Sequence, residues 1–225
     1  MHVHLPKPLH GWRALVGEVG IIVVGVLIAL SAEQLVQSMH EREDVAQLRA
    51  ALRAELADDR ARWEGIRIRD GCTQRRLDAL ERWVANAPAA ARLGGNPYRL
   101  FLFNMHSSAW DLAKTSPAAA HIPLKERLTY ASLYGAIDNW RQFIDEENTN
   151  ANALSALLAT ADLPANRGEA RFRLAQAQIM LNRRGLNYAY FFTRFDELGI
   201  RPDYGQQTIH IDPADLCKPL IVAIR

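Results

Sequence analysis

A chain of 225 residues, 49% hydrophobic and 23% charged, has the composition of an ordinary folded protein and lies outside the range of disorder. Its 27 basic side chains are offset by 25 acidic ones. The formal charge of +2 supplies no field that would hold a polyanion, so nucleic acid is excluded as the expected partner.

Residues 1–13 read as a short polar tail, and from Ala14 to Val36 the chain runs ALVGEVGIIVVGVLIALSAEQLV, with no charge between Val19 and Ala32. At a helical rise of about 1.5 Å per residue the whole segment spans roughly 34 Å, enough for a hydrocarbon core of about 30 Å. The uncharged part alone reaches only about 21 Å, so Glu18 belongs near one interface. A cleavable signal peptide is the competing reading. The apolar run meets no small-x-small cleavage site followed by a break, however, and flows into Glu33-Gln34-Leu35 and a long helical pattern. An uncleaved transmembrane signal anchor at 14–36 is the expectation. Lys7 and Arg13 before it are matched by Arg42 and Arg49 after it, so the basic count ties. The acid-free tail and Trp12 at the membrane edge tip the choice, placing the N-terminus in the cytoplasm and the rest outside it.

Gly17-Glu18, six residues, then Gly25-Val26-Leu27-Ile28-Ala29-Leu30 resembles the anchor of an uncharacterised family of bacterial single-pass membrane proteins. In that family a charged helix follows the span, as Glu41 to Glu64 does here. The resemblance covers the first 65 residues and implies an inner-membrane location with a periplasmic domain. It implies no activity and no catalytic residue. The exit Ser31-Ala32-Glu33-Gln34 departs from the Asn- and Trp-containing exit of that family.

Residues 37–69 read as a juxtamembrane amphipathic helix, because Val45, Leu48, Leu52, Leu56 and Trp63 recur at steps of 3, 4, 4 and 7. A heptad seam would have to include Glu55 and Asp59, so the stripe is expected to dock on a globular domain, with Gly65 as its break. Residues 70–225 are expected to form that helical domain. A helix at 73–87 precedes a loop from Pro88 to Pro97, and a shorter helix contains Trp110 and Leu112. Pro123 opens a long helix with Leu133, Ile137, Trp140, Ile144, Ala151, Leu154 and Leu158 at a period near 3.6, bent at 148–150. Asn166 and Glu169 resemble a capping box for a last helix ending near Leu198, with Gly199 just past it. Thr208 to Ile211, and Leu220 to Ile224, read as extended chain. The expected fold class is all-α: one N-terminal transmembrane helix followed by a bundle of about five helices.

Cys72 and Cys217 are the only cysteines, and an even count in a translocated domain suggests a disulfide, the alternative being two buried thiols. Two cysteines without nearby histidines fall short of a metal site, and His2, His4 and His10 on the tail make a weak one at best. His210 and Asp212 share a side of an extended chain, where the carboxylate could orient the imidazole as a base. No partnered nucleophile accompanies them, and a surface turn is the simpler reading. Asp145-Glu146-Glu147 is read as a solvated face because consecutive helical residues diverge by about 100°. Tyr188, Tyr190, Phe191, Phe192 and Phe195 are read as core, with a lipid or ligand groove, or a partner surface, as the alternatives. Glu18, Gly25 and Ala29 are the residues of the span that could meet another membrane helix.

No nucleophile elbow, phosphate-binding glycine loop, dinucleotide fingerprint or zinc-protease motif occurs, so no cofactor is implied and the balance leans away from an enzyme. The favoured expectation is a membrane-anchored periplasmic interaction or scaffold module. Its partners would be the lipid bilayer and another membrane or envelope protein, or a second copy. The alternative is a membrane-tethered hydrolase or a small-ligand or lipid-binding domain.

Overall fold

The computed structural model describes residues 11–88, 91–94, 96–100, 102–160, 163–205, 217–218 and 222–223. Four α-helices carry it: α1 (Trp12–Asn86), α2 (Ser108–Thr115), α3 (Leu124–Thr160) and α4 (Leu163–Glu197). A 3-10 turn at Pro117–His121 leads into α3, and two short strands, β1 (Arg92–Leu93) and β2 (Val222–Ala223), pair antiparallel with Arg92 opposite Ala223. The chain divides into two compact units, Met1–Gln47 and Leu48–Arg225.

In the first unit, α1 is long and apolar enough to cross a membrane, and none of its most apolar window is buried within the protein. Ile21 and Ile28 are 76% and 65% exposed.

In the second unit the helical architecture matches the all-α expectation, but the count of about five helices does not hold. The segments expected at 37–69 and 73–87 are one helix that continues through Gly65 and Gly71. A glycine inside a helix costs about 1 kcal/mol relative to alanine, whereas each buried Leu or Trp beside it contributes roughly 1.5–3 kcal/mol, so packing decides. The long helix α3 is likewise helical through residues 148–150. Helix α4 starts at Leu163, three residues before Asn166, so the expected capping box lies inside its first turns. Its end is as expected: Gly199 takes φ +63° and Ile200 N–H donates to Phe195 O at 2.9 Å. The turn buries Ile200 and returns the chain to α1, where Arg60 Nη1 donates to Ile200 O at 2.6 Å and Asp203 N–H to Ala57 O at 3.0 Å.

The core follows stripes at steps of three and four. Leu77, Leu80 and Val84 of α1 pack with Leu154 and Leu158 of α3 and with Leu174, Ala177 and Leu181 of α4. A second cluster centres on Trp63, fully buried, whose ring lies 4.2 Å from that of Trp140 and 4.1 Å from that of Phe191. Cys72 and Cys217 form a disulfide with Cα atoms 5.0 Å apart, closing 145 residues. The expected strand at 208–211 lies outside the described residues.

Candidate functional site

Two groups of charged side chains sit inside this apolar framework, and each occupies positions that the stripes would reserve for hydrophobic residues. On α3 the sequence Trp140, Ile144, Glu147, Ala151, Leu154 keeps steps of four, three, four and three, and Glu147 is 1% exposed. On α4, Arg184 falls between Leu181 and Phe191 on the buried face and is also 1% exposed. Arg184 Nη1 donates to both oxygens of Glu147, at 2.9 and 3.0 Å, and its Nη2 lies 2.6 Å from Oδ1 of Asp70 on α1. The Tyr188 hydroxyl donates to the other oxygen of Asp70. Three helices are thereby joined by one guanidinium, and the solvated reading of Glu147 is corrected: only Asp145 and Glu146 face outward or partly so. Burial pushes the carboxyls of Glu147, up to about 7, and of Asp70 upward, although Arg184 pulls both down. One guanidinium neutralises one carboxylate, and burial favours a proton on the second.

The second group lies on α1. Asp59 fills the gap between Leu56 and Trp63 in the buried stripe and is fully buried. Its Oδ1 accepts the backbone N–H of His106 at 2.9 Å, while its Oδ2 is buried with no hydrogen-bond partner. Burial pushes this carboxyl up to about 8, against the pull of the His106 N–H, and Glu55 and Asp58 push the same way. Asp58 Oδ2 lies 3.1 Å from His106 Nδ1 and receives Arg62 Nε–H at 2.9 Å. His106 Nδ1 is also 3.6 Å from Asp59 Oδ1. One turn earlier, Glu55 accepts the Tyr134 hydroxyl at 2.8 Å and the backbone N–H of Ala109 at 2.9 Å. Asp58, Asp59 and His106 each bring one ligand atom to within 4.8 Å of the others. Sequence spacing alone could not join His106 to the α1 aspartates. The skipped step from Leu56 to Trp63 was the available signal for Asp59.

A third feature is apolar. Helix α4 buries Leu174, Ala177, Leu181, Phe191 and Phe195, and on its opposite face exposes Phe172, Ile179 and Leu186, at 55%, 58% and 79%. These three are spaced by seven, and Gly168, Ala175, Asn182 and Ala189, all exposed, fall between and beside them.

The residues singled out from sequence are distributed as follows. Glu18, Gly25 and Ala29 lie on the exposed surface of α1, and steps of seven and four put them on one face. Phe191 and Phe195 are core, whereas Tyr190 is 39% exposed and lines a polar surface groove of about 670 Å³ with Asn139, Gln142, Glu146 and Arg183. His2, His4, His10, His210 and Asp212 lie outside the described residues. No family model matches the chain, no curated protein matches it, and no solved structure matches it.

Proposed function

We propose that this chain is a single-pass protein of the bacterial inner membrane whose helical unit, on the periplasmic side, is an interaction module pairing through α4 with a second copy of itself. The observation that carries the reading is the exposed stripe of Phe172, Ile179 and Leu186 on a helix whose other face is already buried. A period of seven on a solvent face is the pattern of a helix-to-helix seam, and surface helices that need only solubility do not keep it.

A second copy suits this seam for three reasons. Its small residues, Gly168, Ala175 and Ala189, leave room for the large ones of an identical helix. Asn182 in the middle is a polar residue that a like residue can pair in a single register. The flanking positions hold Arg171, Gln176, Gln178 and Arg183, so an arginine of one copy can face a glutamine of the other without like charges meeting. The disulfide supports an oxidising compartment, and Glu18, Gly25 and Ala29 on one face of the span would extend the contact into the bilayer.

The test is the mass of the full-length protein in detergent micelles by sedimentation. A dimer that falls to monomer in the double variant Ile179→Arg, Leu186→Glu, with helix content unchanged, is the expected result. A monomeric parent protein, or a dimer indifferent to the substitutions, removes the reading. A phosphatase reporter fused after Arg225 should be active, and inactivity there would overturn the orientation.

A further inference from the structure

We infer that Asp58, Asp59 and His106 form a binding site for one divalent transition-metal cation, independent of the α4 seam. The geometry comes first. Bonds of about 2.1 Å place neighbouring ligands about 3.0 Å apart in an octahedron and about 3.4 Å apart in a tetrahedron. His106 Nδ1 stands 3.1 Å from Asp58 Oδ2 and 3.6 Å from Asp59 Oδ1, near shell spacing from one oxygen of each aspartate, and the three ligand atoms lie within 4.8 Å of one another.

The second observation is independent of that spacing. Asp59 is fully buried, its carboxylate faces His106, and its Oδ2 finds no hydrogen-bond partner. Buried carboxylate oxygens are ordinarily paired, and a cation bound by both Asp59 oxygens would satisfy the orphan one.

The surroundings are those of a metal site. Arg62 Nε–H and the backbone N–H of His106 donate to ligand carboxylates, which fixes them as outer-sphere donors do. Glu55 is held by Tyr134 and the N–H of Ala109 and stays out of the shell. The His106 side chain is 47% exposed, so an ion can enter from solvent, and three protein ligands leave at least one position for water. Two carboxylates and one imidazole suit Zn²⁺, Mn²⁺ or Fe²⁺ over the soft, thiolate-seeking ions.

Full-length protein in micelles, stripped with EDTA, is titrated with Zn²⁺ by calorimetry. One equivalent is expected, with a dissociation constant of about 10 µM or tighter. His106→Ala and Asp58→Asn, chosen because neither side chain is fully buried, should each weaken it at least 30-fold while leaving helix content unchanged. The variant with His2, His4 and His10 all replaced by Ala separates this site from the tail and should bind as the parent does. No stoichiometric binding, binding that survives His106→Ala, or binding lost with the tail histidines overturns the proposal.

Discussion

The two parts of α1 solve opposite problems. From Val19 to Ala32 the helix turns apolar side chains outward on every side and buries nothing within the protein. After it, the helix keeps a narrow apolar stripe and places Asp59 and Asp70 on that same stripe, with Asp59 completely enclosed. In the bilayer that we propose surrounds it, the outer segment tolerates any small change that stays apolar, because lipid packs without register. The inner one tolerates few, because each enclosed charge depends on a named partner. The difference lies in what surrounds the helix, since both segments are continuous α-helix.

The largest effect that would sharpen this contrast is Arg184→Ala. Removing the guanidinium leaves Glu147 and Asp70 enclosed without a counter-charge and should cost about 3–5 kcal/mol, with the helical unit unfolding at markedly lower denaturant. The span should still resist extraction from membranes, and loss of both properties together would break the comparison. Val24→Arg is the converse. A charge at the centre of a span costs about 3 kcal/mol on insertion, so the membrane-retained fraction should fall in carbonate extraction while thermal unfolding of the helical unit in detergent stays within about 0.5 kcal/mol of the parent.

The smallest expected effect concerns pH. Asp59 and Glu147 have folded-state values raised to about 8 and about 7, from 3.8 and 4.5. For an acid raised on folding, the stabilising contribution is complete below the unfolded value and is lost as pH rises through the folded one. Thermal stability in EDTA should therefore fall between pH 6 and pH 8. Asp59→Asn should flatten most of that slope, leaving the part due to Glu147. A stability that does not change with pH over the same range would show that both carboxyls are already ionised in the fold at pH 6.

Much of the fold was legible because helical periodicity survives in a single sequence. The apolar run of the span, the stripe of α3 and the stop at Gly199 could all be read from spacing. The continuity of α1 was hidden by Gly65, whose local cost is real but smaller than the packing on either side. The charged interior was hidden by a subtler rule. In the stripes of α1 and α3, a seven-residue step concealed one buried residue, Asp59 or Glu147, because a charged side chain reads locally as solvated. Its partner sits far away in the sequence and is invisible from local pattern. His106 shows the same limit: nothing near it in sequence announces the aspartates of α1, and only the packed chain brings them together.

The Arg184 junction constrains how relatives of this protein can diverge. Asp70, Glu147 and Arg184 come from three helices, separated by 77 and 37 residues in sequence, yet share one enclosed charge balance. Altering one alone strands the others, while exchanging all three for well-packed apolar residues is neutral or favourable on energetic grounds. Descendant sequences should thus hold either the complete ionic set or none of it, with few intermediates, so that these positions change by concerted replacement and leave a three-way covariation as their historical trace.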